Sequence, residues 1–287
     1  MSEAARRIDA HHHLWDTDAH PDAYGWMDGP WADPLRGRFG PDELARAAGP
    51  VGPVGTVAVQ ARTDTEETLD LLAIAADPST PVVAVVGWID LTAPDPAERA
   101  AALRAAPGGE LLVGVRHFVQ DEADPQWLAR PDVTRSLEAL AAAGLTYDLL
   151  VREPQLPAAV RVAERHPGVS FVLDHLGKPA IGAGAWQPWA DTVERLAALP
   201  NVAVKLSGLV TEAHWRDWTA AQILPYARHA LACFGPERTM FGSDWPVCTL
   251  AASYDTVVSI ADQACAELSD AERDLVFGAT ARRVYGL

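Results

Sequence analysis

Eight short β-rich runs alternate with longer Ala/Leu/Glu/Arg stretches of helical period, and this alternation restricts the chain's fold more than any other feature. The strand runs are Arg7 to His11, Gly55 to Gln60, Val82 to Ile89, Leu112 to Phe118, Thr146 to Val151, Val169 to Asp174, Val202 to Leu206 and Thr239 to Gly242. Helical patterns lie between them at Asp64 to Ala76, Ala97 to Ala105, Val133 to Ala143, Pro157 to Arg165, Ala190 to Leu199, Ala220 to Phe234 and Asp255 to Glu267. Strand and helix in strict succession predict a parallel sheet with helices outside, and nearly continuous apolar strands fit a sheet buried on both faces. Eight is the number that closes a parallel barrel, so the expected class is α/β, a (β/α)8 TIM barrel. A doubly wound open sheet is the alternative, but no G-x-G-x-x-G follows an early strand. At 287 residues and 49% hydrophobic, the chain is expected to form one domain over 1–287.

Two departures from this regularity are expected to shape a mouth. Residues 15–53 carry Tyr24, Trp26, Trp31 and several prolines, too aromatic for a disordered linker, and read as a lid-like insertion. Ala180 to Pro188, ending near Trp186 and Trp189, could wall the same opening; packing of aromatics on the barrel rim is the simpler reading of both. Residues 1–6 read as a flexible N-terminus. With 39 acidic against 23 basic residues, a net charge of −16 and no Lys/Arg run, nucleic acid and anionic membrane are poor partners, and a small molecule is the expected ligand. No apolar run is of transmembrane type, and Met1 to Arg7 lacks a secretory stretch, so a cytoplasmic location is expected. Cys233, Cys248 and Cys265 have no C-x-x-C spacing and read as reduced structural thiols.

Polar residues fall at the C-terminal ends of the strand runs, where barrel enzymes build their sites. Alternation along the first strand sets His11 and His13 on one side and His12 on the other. Gln60 ends the second strand, Arg116 and His117 the fourth, Asp174 and His175 the sixth, Lys205 the seventh, and Asp244 follows the eighth; Asp148 lies in the fifth. A single histidine here would read as a satisfied core residue, whereas the joint pattern reads as a catalytic site. Lys178 and Lys205 are the chain's two lysines, and both sit at strand ends, where a compact ammonium suits a substrate oxygen. The plain alternative is local ion pairing, with Asp174 as partner for Lys178.

His11-His12-His13-Leu14-Trp15, Gly114-Val115-Arg116-His117, Asp174-His175-Leu176-Gly177-Lys178-Pro179, Lys205-Leu206-Ser207-Gly208 and Phe241-Gly242-Ser243-Asp244-Trp245-Pro246 together resemble the amidohydrolase superfamily. The resemblance is to its amidohydrolase-related (family 2) branch, which includes sugar-lactone hydrolases of the L-fuconolactonase and L-rhamnonolactonase type, and it runs from Ile8 to Leu287. It implies that His11, His13, His175 and Asp244 surround either one divalent metal, zinc, or the substrate carbonyl with no metal at all. The superfamily's bridging lysine has no match, since Arg116 and His117 stand at its place, which implies no binuclear centre. It further implies a hydrolase that opens a sugar-acid lactone, an aldono-1,4- or 1,5-lactone, with Asp244 as general base and then acid while the histidines polarise the carbonyl. Substrate contacts are expected from Gln60, Arg116, His117, Lys178, Lys205, Trp15 and Trp26. No G-x-S-x-G elbow is present, so a serine acyl-enzyme is disfavoured. The alternatives are a zinc-dependent decarboxylase or amide hydrolase of the same superfamily, or a barrel that binds a sugar acid without turning it over. Thr280 stands where the family's closing helix suggests Asn. The sequence leaves the particular lactone and the oligomeric state open.

Overall fold

The computed structural model describes residues 7–287, so the expected flexible segment 1–6 lies outside the described residues. Eight parallel strands form one sheet in sequence order: β1 (Ile8–His12), β2 (Gly55–Val59), β3 (Val82–Gly87), β4 (Leu112–His117), β5 (Thr146–Leu149), β6 (Phe171–Leu173), β7 (Val202–Leu206) and β8 (Thr239–Phe241). The barrel closes just beyond the end of β8, where the Asp244 amide donates to the His11 carbonyl (2.8 Å) and the His13 amide to the Trp245 carbonyl (2.7 Å). This is the (β/α)8 barrel that the alternation predicts; seven of the expected strand runs contain their strands, and the first strand runs one residue past its expected end at His11.

Helices cover the outside: α1 (Pro41–Ala48), α2 (Thr65–Ala75), α3 (Pro96–Ala105), α4 (Pro131–Ala142), α5 (Leu156–Arg165), α6 (Trp189–Ala197), α7 (Ala220–Phe234) and α8 (Tyr254–Ala264). Their starts carry local signals. The Asp64 carboxylate accepts the Glu67 amide (2.8 Å) at α2, Thr219 and Gln222 form a capping box at α7, and Ser253 accepts the Thr256 amide at α8. Each helix buries one face; α5 buries Leu156, Ala159, Val160 and Ala163 against the sheet. The larger core lies between strands and helices, whereas Ile8, Ala10, Val57, Val59, Ala84, Val86, Val172, Ala203 and Met240 fill a smaller one together with Ala281 and Tyr285 of the C-terminal helix Thr280–Tyr285. Thr280 is buried there and donates to the Pro236 carbonyl (2.9 Å).

Residues 15–53 hold more order than an irregular lid. A two-residue antiparallel ribbon joins Trp15–Asp16 to Arg38–Phe39, two short 3-10 turns follow at Gly25–Met27 and Pro30–Leu35, and α1 completes the connection. Trp15, Tyr24, Met27, Ala32 and Leu35 bury one another with Ala61. No helix of the described residues is long and apolar enough to cross a membrane.

Candidate active site

The first strand pairs with β2 out of register between Asp9 and His12, a bulge that re-aims the chain at its end. Ile8 and Ala10 pack into the inner core, and beyond the slip His11 meets Lys205 and Arg116 inside the barrel. His11 and His13 share one space, their Nε2 atoms 3.3 Å apart, as alternation predicts. His12 turns away to Thr56 Oγ1 (2.8 Å), and burial pushes its pKa down to about 3. Asp9 secures the seam from behind, accepting from the amides of His11 (3.1 Å) and Ser243 (2.9 Å) and from the Tyr254 hydroxyl (3.0 Å). Burial outweighs those bonds and raises its pKa to about 6.

Three imidazoles converge on one carboxylate oxygen. Asp244 Oδ1 lies 3.5 Å from His13 Nε2, 3.7 Å from His11 Nε2 and 3.8 Å from His175 Nε2. His13 Nδ1 bonds the Val59 carbonyl (2.8 Å), which requires the proton on Nδ1 and leaves the Nε2 lone pair facing the site. His175 Nδ1 bonds Ser207 Oγ (2.9 Å), which fixes the orientation of that ring. Asp244 and His175 both sit at left-handed backbone angles, φ 57° and 54°, rare for residues other than glycine and typical of strained functional positions. Burial alone would raise the Asp244 pKa, but His175 and the His13 hydrogen bond oppose it and hold the carboxyl below its ordinary range. Burial also lowers all three histidines, His175 to about 4, so the rings are neutral near pH 7.

Beneath them lies a buried charged layer. Lys205 Nζ lies 2.5 Å from Asp148 Oδ2, 3.0 Å from Asp174 Oδ1 and 3.1 Å from His11 Nδ1. Tyr285 donates to the same Asp148 oxygen (2.8 Å). Arg116 reaches Asp174 Oδ2 (3.1 Å), Gln60 Oε1 (2.8 Å), the Gln60 carbonyl and His11 Nε2 (3.3 Å). Burial raises Asp148 to about 6 against the pull of Lys205, whereas for Asp174 Lys205 and His11 overcome burial and hold the carboxyl well below its ordinary range.

Above the imidazoles opens a cavity of 430 Å³, of a size that accommodates a small ligand. His13, His175, Asp244, Arg116, Lys178 and Trp26 line it. Gln60, Lys205, Trp15 and His117 do not line it, which revises their expected place. Gln60 and Lys205 are fully buried in the layer below, and Trp15 stacks on His13 (5.9 Å) with its indole bonded to the Leu35 carbonyl. His117 is held between Trp88 and Glu122 and stacked on Trp127 (4.4 Å), beside a neighbouring groove. Lys178 pairs with Glu212 (3.6 Å) rather than with Asp174. Trp186 packs on Trp189, Tyr226 and His229, away from the cavity, so Ala180 to Pro188 does not supply the expected wall. The loop after β7 supplies it instead with Thr211, Glu212 and Trp215, and Arg152 joins from the loop after β5. The chain's many arginines hid Arg152, and a tryptophan outside any strand end gave Trp215 no signal.

The Amidohydrolase family model matches residues 8–287. This chain belongs to the Amidohydrolase family. Among curated proteins it is similar to an L-fucono-1,5-lactonase of Burkholderia multivorans, 43% identical over 99% of this chain and 97% of that one. An L-fucono-1,5-lactonase of Burkholderia ambifaria is 36% identical over 97% of this chain and 95% of that one. Among solved structures, that of a Burkholderia multivorans amidohydrolase with bound zinc is 43% identical, with a TM-score of 0.91 over 99% of this chain and 100% of that one. The amidohydrolase barrel expected from five short motifs thus extends over the whole described chain.

Proposed function

We propose that this protein is a lactonase that opens a sugar-acid lactone, an aldono-1,5- or aldono-1,4-lactone, by attack of water. The observation that carries the reading is the convergence of His11, His13 and His175 on Asp244 at the floor of a cavity of single-sugar size. Curated relatives named L-fucono-1,5-lactonase support a six-membered sugar lactone as substrate class.

One ligand atom each from His11, His175 and Asp244 lie within 4.8 Å of one another, so these residues, with His13 beside them, would hold one divalent ion; the zinc-bound amidohydrolase supports that assignment. When bound, the ion supplies Lewis-acid polarisation of the carbonyl and acidifies a nearby water. Asp244, ionised near pH 7, takes a proton from the water as its oxygen attacks the carbonyl carbon. The ring C–O bond then breaks with its electron pair on the leaving oxygen, and Asp244 returns the proton there. Arg116 lines the cavity floor and adds positive charge as the carbonyl oxygen becomes negative. Trp26, Trp31 and Trp215 present flat apolar faces to the sugar ring.

The product acid ionises, so turnover releases a proton. A pH-indicator assay over aldono-1,5- and 1,4-lactones, L-fucono-1,5-lactone included, tests the reading with and without chelator. Acid release above the spontaneous rate for at least one sugar lactone is expected, slowed by the chelator. Binding without acid release across the panel would replace catalysis with sugar-acid binding.

A further inference from the structure

Outside the lining of the barrel-mouth cavity, α6 and α7 bring three ligand types of different chemistry to one spot. His229 and Cys233 lie one turn apart on α7, and Glu194 faces them from α6. One atom from each lies within 4.8 Å of the other two. His229 Nε2 is 3.7 Å from Cys233 Sγ and 3.9 Å from Glu194 Oε1. In a tetrahedral shell two ligand atoms stand about 1.6 bond lengths apart, so bonds of about 2.0 Å to nitrogen or oxygen and about 2.3 Å to sulfur give separations of roughly 3.3–3.6 Å. The His229–Cys233 separation exceeds its ideal by about 0.2 Å and the His229–Glu194 separation by about 0.6 Å, so the carboxylate must move inward to complete the shell. Glu194 is exposed and has the rotamer freedom to close the difference.

The His229 ring is already oriented. It sits edge-on to Trp186 (5.0 Å) and tilted against Trp189 (5.5 Å), and these contacts keep Nε2 toward Cys233 and Glu194. The Ala190 carbonyl lies 3.4 Å from the same nitrogen and accepts its proton, so a metal ion there takes the imidazole in its other tautomer, with the proton on Nδ1. A histidine–carboxylate ion pair would account for Glu194 but not for a half-buried thiol in the same shell.

We propose that Glu194, His229 and Cys233 form a second metal site that takes one thiophilic divalent cation of the Zn²⁺ type, with water as fourth ligand. Binding deprotonates Cys233, whose thiol proton passes to solvent, and moves the His229 proton from Nε2 to Nδ1; the metal–sulfur and metal–nitrogen bonds to α7 and the metal–oxygen bond to Glu194 then join the two helices. The site acts as a clasp on the outer helix layer and is separate from the catalytic cavity.

Cobalt(II) titration of the full chain, first stripped with chelator, tests the proposal because a thiolate–cobalt bond gives a near-ultraviolet charge-transfer band. The wild type should show that band, saturating within two equivalents because the barrel-mouth residues also take a divalent ion. Cys233→Ser should abolish it while leaving lactone hydrolysis unchanged, and Glu194→Gln, an exposed change that leaves the core intact, should weaken binding by about tenfold or more. Asp244→Asn should keep the band, and zinc should raise the Tm of the wild type more than that of Cys233→Ser. No band in the wild type, or a band that survives Cys233→Ser, would overturn the site.

Discussion

The active arrangement depends on one residue that carries no functional group. Gly208 has φ 67°, and a Cβ there would sit 2.4 Å from His175 Nδ1. Only glycine lets Ser207 and His175 make their bond with the ring where it stands. Gly208→Ala should therefore fold but displace the imidazole, and misplacement of that size lowers kcat by up to about a hundredfold with a smaller effect on KM. Unchanged kcat by steady-state kinetics would show that the ring position is not critical. At this scale the sequence was legible where period-2 geometry applied, since the His11/His13 pairing follows from strand alternation alone. It was not legible where a side chain turns back under the site. Lys205 and Gln60 occupy strand ends as a substrate contact would, yet Asp148, Asp174 and Arg116 hold them below the cavity floor.

Among the elements, loops supply most of the cavity lining. Trp31 from the segment after β1 and Trp215 from the loop after β7 approach within 6.0 Å at the mouth, and Trp26 lies 6.3 Å from Trp31. Trp215→Ala should raise KM for a sugar lactone by roughly tenfold, the scale of one lost aromatic contact, with kcat nearly unchanged. A fall in kcat alone would place Trp215 elsewhere in the mechanism. The loop after β2 is set by Glu67 of α2, whose Oε2 accepts the amides of Ala61 (2.8 Å) and Arg62 (2.7 Å). Burial raises its pKa to about 7, above the 4.5 of an ordinary glutamate, so the folded state holds this proton more tightly than the unfolded state. Its contribution to stability is fully present below pH 4.5 and is lost as pH rises toward 7, by about 1.4 kcal/mol per pH unit. Glu67→Gln, which cannot ionise, should exceed the wild type by roughly 1–3 kcal/mol in urea unfolding at pH 8 and converge with it near pH 5. The reverse trend would remove Glu67 from the acid–base balance of the fold. Helix α1 escaped sequence reading because it is short and lies inside an aromatic, proline-rich segment, where its start at Gly40-Pro41 resembles a turn.

For the whole molecule, the closing seam of the barrel and the candidate site are one structure. The bonds that join β1 to the end of β8 run through His11, His13, Asp244 and Trp245, so closing the barrel also assembles the site. Lys205 joins this seam to Asp148, Asp174 and, through Asp148, to Tyr285 of the last helix. Lys205→Met leaves two carboxylates buried without their shared cation and should cost about 3–5 kcal/mol in chemical unfolding. Tyr285→Phe, which removes one hydrogen bond, should cost about 1–3 kcal/mol. Equal and negligible losses would show that the charged layer is not a structural support. The barrel itself was legible because eight apolar runs and their helices repeat one pattern, whereas the seam depends on a bulge that no residue type announces. The most direct test of the central claim, that Asp244 among three imidazoles is the base that opens a lactone, is the rate of acid release from L-fucono-1,5-lactone by Asp244→Asn and by the wild type at matched circular dichroism. A folded Asp244→Asn variant at least about a hundredfold slower is predicted, whereas a rate close to that of the wild type would contradict the account.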